Sequence, residues 1–192
     1  MIKIYDDVVE DHVAQLIDSE MRKVQWKFDY PSNRMHPSRH WHVFCAGEKH
    51  SLPLHDNDYV SDLIKNGYEW VMPIWTSAML KYDFRNTYNV DTFKRIYMNA
   101  HTHGIEPVMH KDDGDFTMLY YPRMNWKPEW GGGTLIDGEL VPYVGNRLVV
   151  FDAFLPHMAM PLPRECYELR TVIVFKTVVD GANRERLDFY KD

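Results

Sequence analysis

The stretch Leu169-Arg-Thr-Val-Ile-Val-Phe-Lys-Thr-Val178 decides the fold. Its β-branched and aromatic residues, in a run of strand length, favour a buried strand over a helix. Similar short runs precede it after Asn89, at Phe93–Asn99, Phe116–Tyr121, Gly133–Ile136 and Arg147–Phe151. Glycine, proline, asparagine and aspartate separate these runs, and no helical pattern intervenes. Strands at this density predict a β-sandwich or barrel of the jelly-roll kind.

The first half of the chain has a different texture, in which helical and strand-like patterns alternate. Apolar residues from Val9 to Met21 recur at spacings of three and four, which predicts a helix with Asp6 or Asp7 as its N-cap. Strands are also predicted at Ile2 and Ile4, at Trp26–Tyr30 and at Trp41–Cys45, with a loop at Pro31–His40. Helical structure is predicted from Asp56 to Asp83, with Pro53 and Pro73 as boundaries and Gly67 as a stop. We therefore expect an α+β, mainly β protein in which N-terminal helices support a jelly-roll core.

Length and composition fit one ordinary globular domain. The 192 residues are 45% apolar and 26% charged, and they predict a single domain over 1–192, with helical support and flanking strands in 1–90 and the β core in 91–180. The longest apolar runs fall far short of the roughly 20 residues that cross a bilayer, and the opening Met-Ile-Lys-Ile-Tyr-Asp-Asp lacks the pattern of a secretion signal. A net charge of −6 argues against a nucleic-acid partner. We expect a protein of the bacterial or viral-host cytoplasm, not bound to membrane, whose Cys45 and Cys166 are reduced and structural.

A candidate metal site lies in the second half of the chain. His110-Lys-Asp112 places an imidazole and a carboxylate two positions apart, and on a strand such residues point to the same face. His157 follows the predicted strand at Arg147–Phe151, which can return beside the first in a double-sheet fold. Two histidines and one carboxylate form the facial triad of non-haem Fe(II) oxygenases. The alternative interpretation is that residues 111–115 are simply an acidic, solvated surface loop.

Arg170 is the candidate anion-binding residue. It opens the apolar run Thr171–Phe175, and an arginine beside such a run is costly to bury unless it has an anionic partner. A guanidinium matches a carboxylate with two parallel hydrogen bonds. The alternative is a structural salt bridge with an aspartate or glutamate of the protein itself.

Several other residues invite a functional interpretation, but a structural one is preferred for each. His101 and His103 form a rival metal pair, for which a structural or supporting role is expected. We expect Trp126 to pack under a turn and Gly131–Gly133 to permit a bend with positive φ. Lys111 and Asp113 are expected to be exposed charges. His36, His40 and His42 are expected to be solvated in or beside the 31–40 loop, and the alternative is that this loop forms a lid over substrate.

The order of these motifs between Arg95 and Lys176 is more specific than any one of them. The motifs are Tyr97, His110-x-Asp112, Phe116-Thr-Met-Leu-Tyr-Tyr121, Trp126, Gly131-Gly-Gly-Thr134, Gly145-Asn-Arg-Leu-Val-Val-Phe151, Pro156-His157 and Arg170-Thr-Val-Ile-Val-Phe175. In this order they resemble the 2-oxoglutarate/Fe(II)-dependent dioxygenases, specifically the prolyl 4-hydroxylase-like branch. Two departures concern the substrate groove: Gly133 stands at a usual acidic position, and Pro122-Arg123 replaces a common Leu-Asn.

The resemblance implies a fold, a ligand set and a reaction. The fold is a double-stranded β-helix with Fe(II) held by His110, Asp112 and His157. The co-substrate 2-oxoglutarate would chelate the metal and place its far carboxylate on Arg170, with Tyr121 sharing that carboxylate and Tyr97 reaching into the same pocket. It would be decarboxylated to succinate while O2 is consumed and an unactivated C–H bond is hydroxylated, with ascorbate as a further cofactor. The implied substrate is a prolyl residue of a peptide or protein.

Other functions stay open at this point. The same chemistry on a free amino acid, another side chain or a nucleobase is one alternative. A jelly-roll module that binds metal without catalysis is a second, although all three ligands and the arginine are present. A zinc hydrolase is a third, and it leaves Arg170 without a role.

Overall fold

The computed structural model describes residues 1–32, 35–47, 58–88 and 90–179, and its β structure consists of two antiparallel sheets. The strands are β1 (Ile2–Tyr5), β2 (Lys27–Tyr30), β3 (His40–Ala46), β4 (Val90–His101), β5 (Phe116–Tyr121), β6 (Thr134–Ile136), β7 (Glu139–Val141), β8 (Arg147–Asp152), β9 (His157–Ala159) and β10 (Arg170–Val179). The larger sheet has the order β1-β8-β5-β10-β4-β3-β2, and the smaller has the order β7-β6-β9.

Within the described residues, four α-helices flank the larger sheet. They are α1 (Asp11–Met21), α2 (Asp58–Asn66), α3 (Met72–Tyr82) and α4 (Phe84–Tyr88), with short 3-10 turns at Glu69–Val71 and Pro128–Trp130. The buried faces of the helices, including Ile17, Leu63 and Ile74, share one apolar cluster with Ile173 and Phe175 of the sheet. The helices therefore cover one face of the larger sheet and leave the other face to the site.

Strand β10 shows how the sequence divides these two faces. Because side chains alternate along a strand, Ile173 and Phe175 point to the helices while Val172 and Val174 point to the second apolar cluster. By the same alternation Arg170 and Lys176 share the face of Val172 and Val174. This face of the strand thus carries two buried cations, Arg170 and Lys176.

The predicted architecture, a mainly β jelly-roll core supported by N-terminal helices, is confirmed. Strand β5 has its predicted bounds, and Gly67 ends α2 with a φ of +75°. Strands β7 and β9 and helix α4 are additional to the prediction. The predicted boundary at Pro53 and helix start at Asp56 lie outside the described residues.

The predicted N-cap of α1 is wrong. The helix begins after Glu10, with no side-chain capping hydrogen bond, and Asp6 instead pairs with Arg147 at 2.6 Å. The glycine prediction is right only in part: Gly131 and Gly132 have φ of +59° and +68°. Gly133 is small for another reason, because a Cβ there would lie 2.4 Å from the carbonyl oxygen of Val141.

No helix within the described ranges is long and apolar enough to cross a membrane.

Candidate metal centre and co-substrate pocket

His110, Asp112 and His157 are brought together in the structure. Each offers one ligand atom, and these atoms lie within 4.8 Å of one another. The backbones of His110 and His157 form a two-residue antiparallel bridge, with N–H···O distances of 3.0 and 2.9 Å. Asp112 is fixed by its own N–H, which donates to the carbonyl of Ala153 at 2.8 Å. The backbone therefore sets the spacing of all three side chains.

Hydrogen bonds orient both imidazoles toward the carboxylate. His110 Nδ1 donates to the carbonyl of Val108 at 2.9 Å, and His157 Nδ1 donates to that of Leu155 at 2.8 Å. This leaves each Nε2 as the lone-pair nitrogen facing Asp112, at 3.8 Å for His110 and 3.3 Å for His157. Burial lowers the pKa of His110, which favours the neutral imidazole that a metal needs.

Asp112 is the buried anion of the centre. Thr117 Oγ1 donates to its Oδ2 at 2.7 Å, and Lys176 Nζ contacts its Oδ1. Burial alone would raise the pKa of Asp112, but Lys176 and His157 hold it well below its usual range. The carboxylate is therefore ionised and oriented, as a metal ligand must be. Two imidazoles and one carboxylate arranged in this way fit Fe(II).

One cavity connects the triad to Arg170. Its walls include the three triad residues, Leu119, Thr134, Val172, Val174 and Arg170. Arg170 is 1% exposed, and its guanidinium donates to the carbonyls of Gly132 and Gly133 and to Thr134 Oγ1. Among the described residues it has no carboxylate partner. Burial lowers the pKa of Arg170, yet a guanidinium stays protonated in proteins. The structural salt bridge considered from the sequence is therefore not what this arginine forms there.

The two predicted tyrosines lie at different depths of this region. The buried Tyr121 hydroxyl donates to Thr134 Oγ1 at 2.7 Å and lies beside Arg170. Tyr97 lines the cavity opposite Val174, four residue pairs along the strand from Arg170. Burial raises the pKa of Tyr97, and the carboxylate of Asp112 raises it further. Tyr121 thus belongs to the arginine end of the cavity and Tyr97 to the metal end.

The expectation of full solvent exposure is wrong for three residues, His40, His42 and Asp113. His40 and His42 are each 4% exposed on β3, not solvated, because His42 pairs with Asn99 of β4 and stacks on Tyr30 with ring centres 3.8 Å apart. His36 is half-buried, and its Nδ1 accepts from the Ser38 N–H. Asp113 is also not an exposed charge.

Asp113 belongs to a buried ionic cluster beside the metal centre. Arg95 Nη1 binds its carboxylate at 3.0 Å and Lys94 Nζ at 2.7 Å, and Lys176 Nζ lies 3.6 Å away. A shift in register between Lys176 and Thr177 accommodates Lys94 next to Arg95, so that both side chains reach the same carboxylate. Lys111, in contrast, is exposed as predicted.

Trp126, Cys45 and Cys166 lie as the sequence predicted. Trp126 packs under the turn, and its Nε1 donates to the Gly131 carbonyl at 2.9 Å. Cys45 and Cys166 are buried free thiols. His101 and His103 form no metal cluster in the described part of the chain: His101 lines the cavity, whereas His103 is exposed and bonds the carbonyl of Leu162.

Thr117 and Lys176 are the site residues that sequence reasoning missed. Both point into the core from strands that were predicted with nearly correct bounds. The alternation of side chains along a strand could have revealed Lys176, which is six residues from Arg170 and therefore on the same face of β10. What the sequence does not contain is the register that sets Lys176 opposite Thr117 and next to Asp112.

The fold and the site together define a jelly-roll protein with a two-histidine, one-carboxylate centre. No model of a known protein family matches the sequence, and no curated protein is similar to it in sequence. Solved structures are similar in fold. A prolyl hydroxylase from Trichoplax adhaerens, in complex with a hypoxia inducible factor oxygen degradation domain peptide fragment, has a TM-score of 0.60 at 13% identity, covering 100% of this chain and 87% of that chain.

Two further neighbours carry 2-oxoglutarate. The viral collagen prolyl hydroxylase of Paramecium Bursaria Chlorella virus-1, as its 2-oxoglutarate complex, has a TM-score of 0.57 at 11% identity over 93% of this chain and 96% of that chain. HygX from Streptomyces hygroscopicus, with nickel and 2-oxoglutarate bound, has a TM-score of 0.60 at 8% identity over 92% and 82%. These likenesses confirm the predicted double-stranded β-helix fold.

Proposed function

We propose that this protein is an iron(II)- and 2-oxoglutarate-dependent dioxygenase that hydroxylates an unactivated C–H bond. The observation that carries the proposal is Arg170, a buried cation without a carboxylate partner among the described residues, in the same cavity as the triad. A buried unpaired charge is costly, so the site calls for an anionic ligand. A metal-binding module or a zinc hydrolase would leave this arginine unexplained.

The residues divide into a metal end and a carboxylate end. His110, Asp112 and His157 would hold Fe(II), with each imidazole fixed by its backbone acceptor. Arg170 would hold the far carboxylate of 2-oxoglutarate, supported by Thr134 and Tyr121. A dicarboxylate with a keto group next to one acid suits this arrangement, since one end can chelate a metal and the other can meet a guanidinium.

When bound, the iron and 2-oxoglutarate supply the oxidation: O2 is consumed, 2-oxoglutarate loses carbon dioxide to give succinate, and one oxygen atom enters the substrate. The protein's own part is positioning and exclusion of water. Leu119, Val172 and Val174 wall the space between the two ends with apolar side chains. Thr117 and Lys176 keep the Asp112 carboxylate ionised and oriented.

The proposed substrate is a prolyl residue of a peptide or protein. Support comes from the neighbours in fold, one of which was solved with a peptide fragment bound. Ser32, Ser38, Glu106 and Pro107 also line the cavity, and Ser38 Oγ donates to the Glu106 carbonyl at 2.5 Å. A free amino acid, another side chain and a nucleobase are the alternatives that product analysis separates.

The first experiment is anaerobic. Fe(II) is added to the purified protein, 2-oxoglutarate is titrated, and the weak visible charge-transfer band of the chelated metal is followed. We expect a band in the wild type, its loss in His110→Ala, and its retention in His12→Ala, an exposed histidine on α1. Arg170→Met should raise the 2-oxoglutarate concentration needed at least tenfold, because a charge-assisted hydrogen bond is lost. The exposed Arg85→Met is the matched control.

Turnover is then tested with O2. Succinate formation that rises with a proline-containing peptide, together with a 16 Da increase in peptide mass, would support the prolyl substrate. Succinate that rises only with a free amino acid or a nucleoside would redirect the substrate and keep the chemistry. Metal binding without a band in the wild type would end the co-substrate proposal and favour the non-catalytic module. Ascorbate has no support beyond the resemblance, and its omission from the assay tests it.

A further inference from the structure

His101 stands at the carboxylate end of the cavity, directly opposite Arg170. It is the last residue of β4, and the two residues are partners in the β4–β10 register. Residues directly opposite on neighbouring antiparallel strands project to the same face with Cβ atoms roughly 4.5–5.5 Å apart. Both side chains line the cavity. Any anion that Arg170 receives therefore lies within reach of this imidazole.

The Nδ1 atom of His101 is buried and has no hydrogen-bond partner within the described ranges. Buried polar atoms in folded proteins are almost always bonded, so an exception inside a cavity points to a ligand or water. The ring is also held in place: it stacks on His40 with centres 4.9 Å apart and an interplanar angle of 26°. The imidazole is thus a fixed polar group whose Nδ1 finds no partner in the part of the chain that the structure describes.

We propose that His101 is a co-substrate-binding residue, donating Nδ1–H to the second oxygen of the carboxylate that Arg170 receives. The inference rests on the proposed function. It assigns the site a carboxylate with two differently bonded oxygens, one on a guanidinium and one on an imidazole. Tyr97 does not take this place, because it pairs with Val174, about 13 Å along the strand from the row of Arg170.

The charges around the ring agree with this role. Burial, Arg170, His40 and His110 all lower the pKa of His101, so the imidazole is neutral beside the guanidinium. A neutral ring can carry its proton on Nδ1 and donate it without adding charge repulsion to Arg170. A dianionic ligand would find one charged and one neutral donor at this end of the cavity.

The test uses binding, not turnover. Protein loaded anaerobically with Fe(II) is titrated with 2-oxoglutarate and with pyruvate, which keeps the metal-chelating end and lacks the far carboxylate. His101→Phe keeps a ring for stacking on His40 and removes the donor. We expect it to weaken 2-oxoglutarate binding about 10- to 100-fold, the usual cost of a hydrogen bond to a charged group, and to leave pyruvate binding unchanged. His101→Asn, whose amide nitrogen can replace Nδ1, should recover most of the loss.

The exposed His103→Phe is the control, and Mn(II) affinity in each variant reports on the metal end separately. Equal 2-oxoglutarate affinity in wild type and His101→Phe would overturn the inference. Equal weakening of 2-oxoglutarate and pyruvate would overturn it as well, since the residue would then act at the metal. Failure of the wild type to bind 2-oxoglutarate at all is a different result, because it removes the proposed function itself.

Discussion

Lys176→Met is expected to destabilise the metal-free protein and to raise its affinity for a divalent metal ion. Lys176 is 1% exposed, and its Nζ contacts Asp112 and lies 3.6 Å from Asp113. Apart from the two histidines, no other cation in the described part of the chain forms an ion pair with Asp112. Methionine keeps the length and apolar packing of the stem and removes the charge. Breaking a buried ion pair on one side costs about 3–5 kcal/mol. Because Thr117 still supports the carboxylate, we expect the metal-free variant to lose about 3 kcal/mol.

A divalent ion should reverse much of this loss. An ion bound to Asp112 would lie roughly 5 Å from the lysine charge, where repulsion between charges of two and one is about 7 kcal/mol at an effective dielectric constant near 20. The attraction of Asp113 for the ion is the same in wild type and variant and cancels in the difference, whereas solvent that reaches the cavity screens part of the repulsion. We expect a net gain of about 2 kcal/mol in metal binding, which corresponds to roughly 30-fold tighter Mn(II) binding in the variant.

The assay is urea unfolding with and without saturating Mn(II), for wild type, Lys176→Met and Lys111→Met. Lys111 is the matched control, since it is exposed and adjacent to Asp112 in sequence. Ligand binding to the native state adds stability in proportion to the logarithm of its affinity. The variant should therefore gain more from Mn(II) than the wild type does. If both gain equally, or if the variant gains less, Lys176 orients the ligand and does not oppose the ion, and the electrostatic reasoning is wrong.

Three further changes test the fold around the site by urea unfolding. Asn146→Ala removes buried hydrogen bonds to both backbone groups of Val9, at 3.0 and 2.8 Å, and should cost about 3 kcal/mol, whereas Asn146→Asp should keep only the acceptor. Gly133→Ala forces a Cβ to within 2.4 Å of the Val141 carbonyl oxygen and should cost roughly 1–3 kcal/mol, and an unchanged midpoint would contradict this packing. Although burial alone would raise the pKa of Asp113, hydrogen bonding from Arg95 holds it well below its usual range. Because its native pKa is lowered, the ionised carboxylate stabilises the fold above about pH 4, and this stability is lost as the pH falls. Asp113→Asn should therefore lower the stability at pH 7 and make it depend less on acid pH.

The local sequence pattern predicted those elements whose formation depends mainly on their own residue types. The run Phe116–Tyr121 is a strand with its predicted bounds, because its aromatic and apolar residues suit a position between two neighbours in a sheet. The His110 and Asp112 pair converges as predicted, although by an unexpected route. His110 sits in an isolated bridge and Asp112 in a loop tied to Ala153, so the shared direction comes from backbone contacts to other segments and not from a continuous strand.

Long-range register was beyond the sequence, and the wrong predictions follow from it. His40 and His42 are polar and next to a loop rich in proline and serine, which indicates exposure. They are buried because β3 adds to the edge of β4 and brings their rings against residues nearly sixty positions away. Asp113 was expected to be solvated for the same reason, but ion pairs with Arg95 and Lys176 on neighbouring strands hold it half-buried.

The two buried cations of β10 show how register turns an ambiguous residue into a functional one. Arg170 and Lys176 share one face of one strand and are both 1% exposed. From the sequence either could be a structural ion pair or a ligand-binding group. The structure gives Lys176 two carboxylates, Asp112 and Asp113, whereas the described residues give Arg170 only neutral acceptors. Since both cations bear the same cost of burial, the one without an anion is the one that requires a ligand from outside. That asymmetry, more than the triad itself, is the observation that supports the proposal of an anionic co-substrate over that of a module that only binds metal.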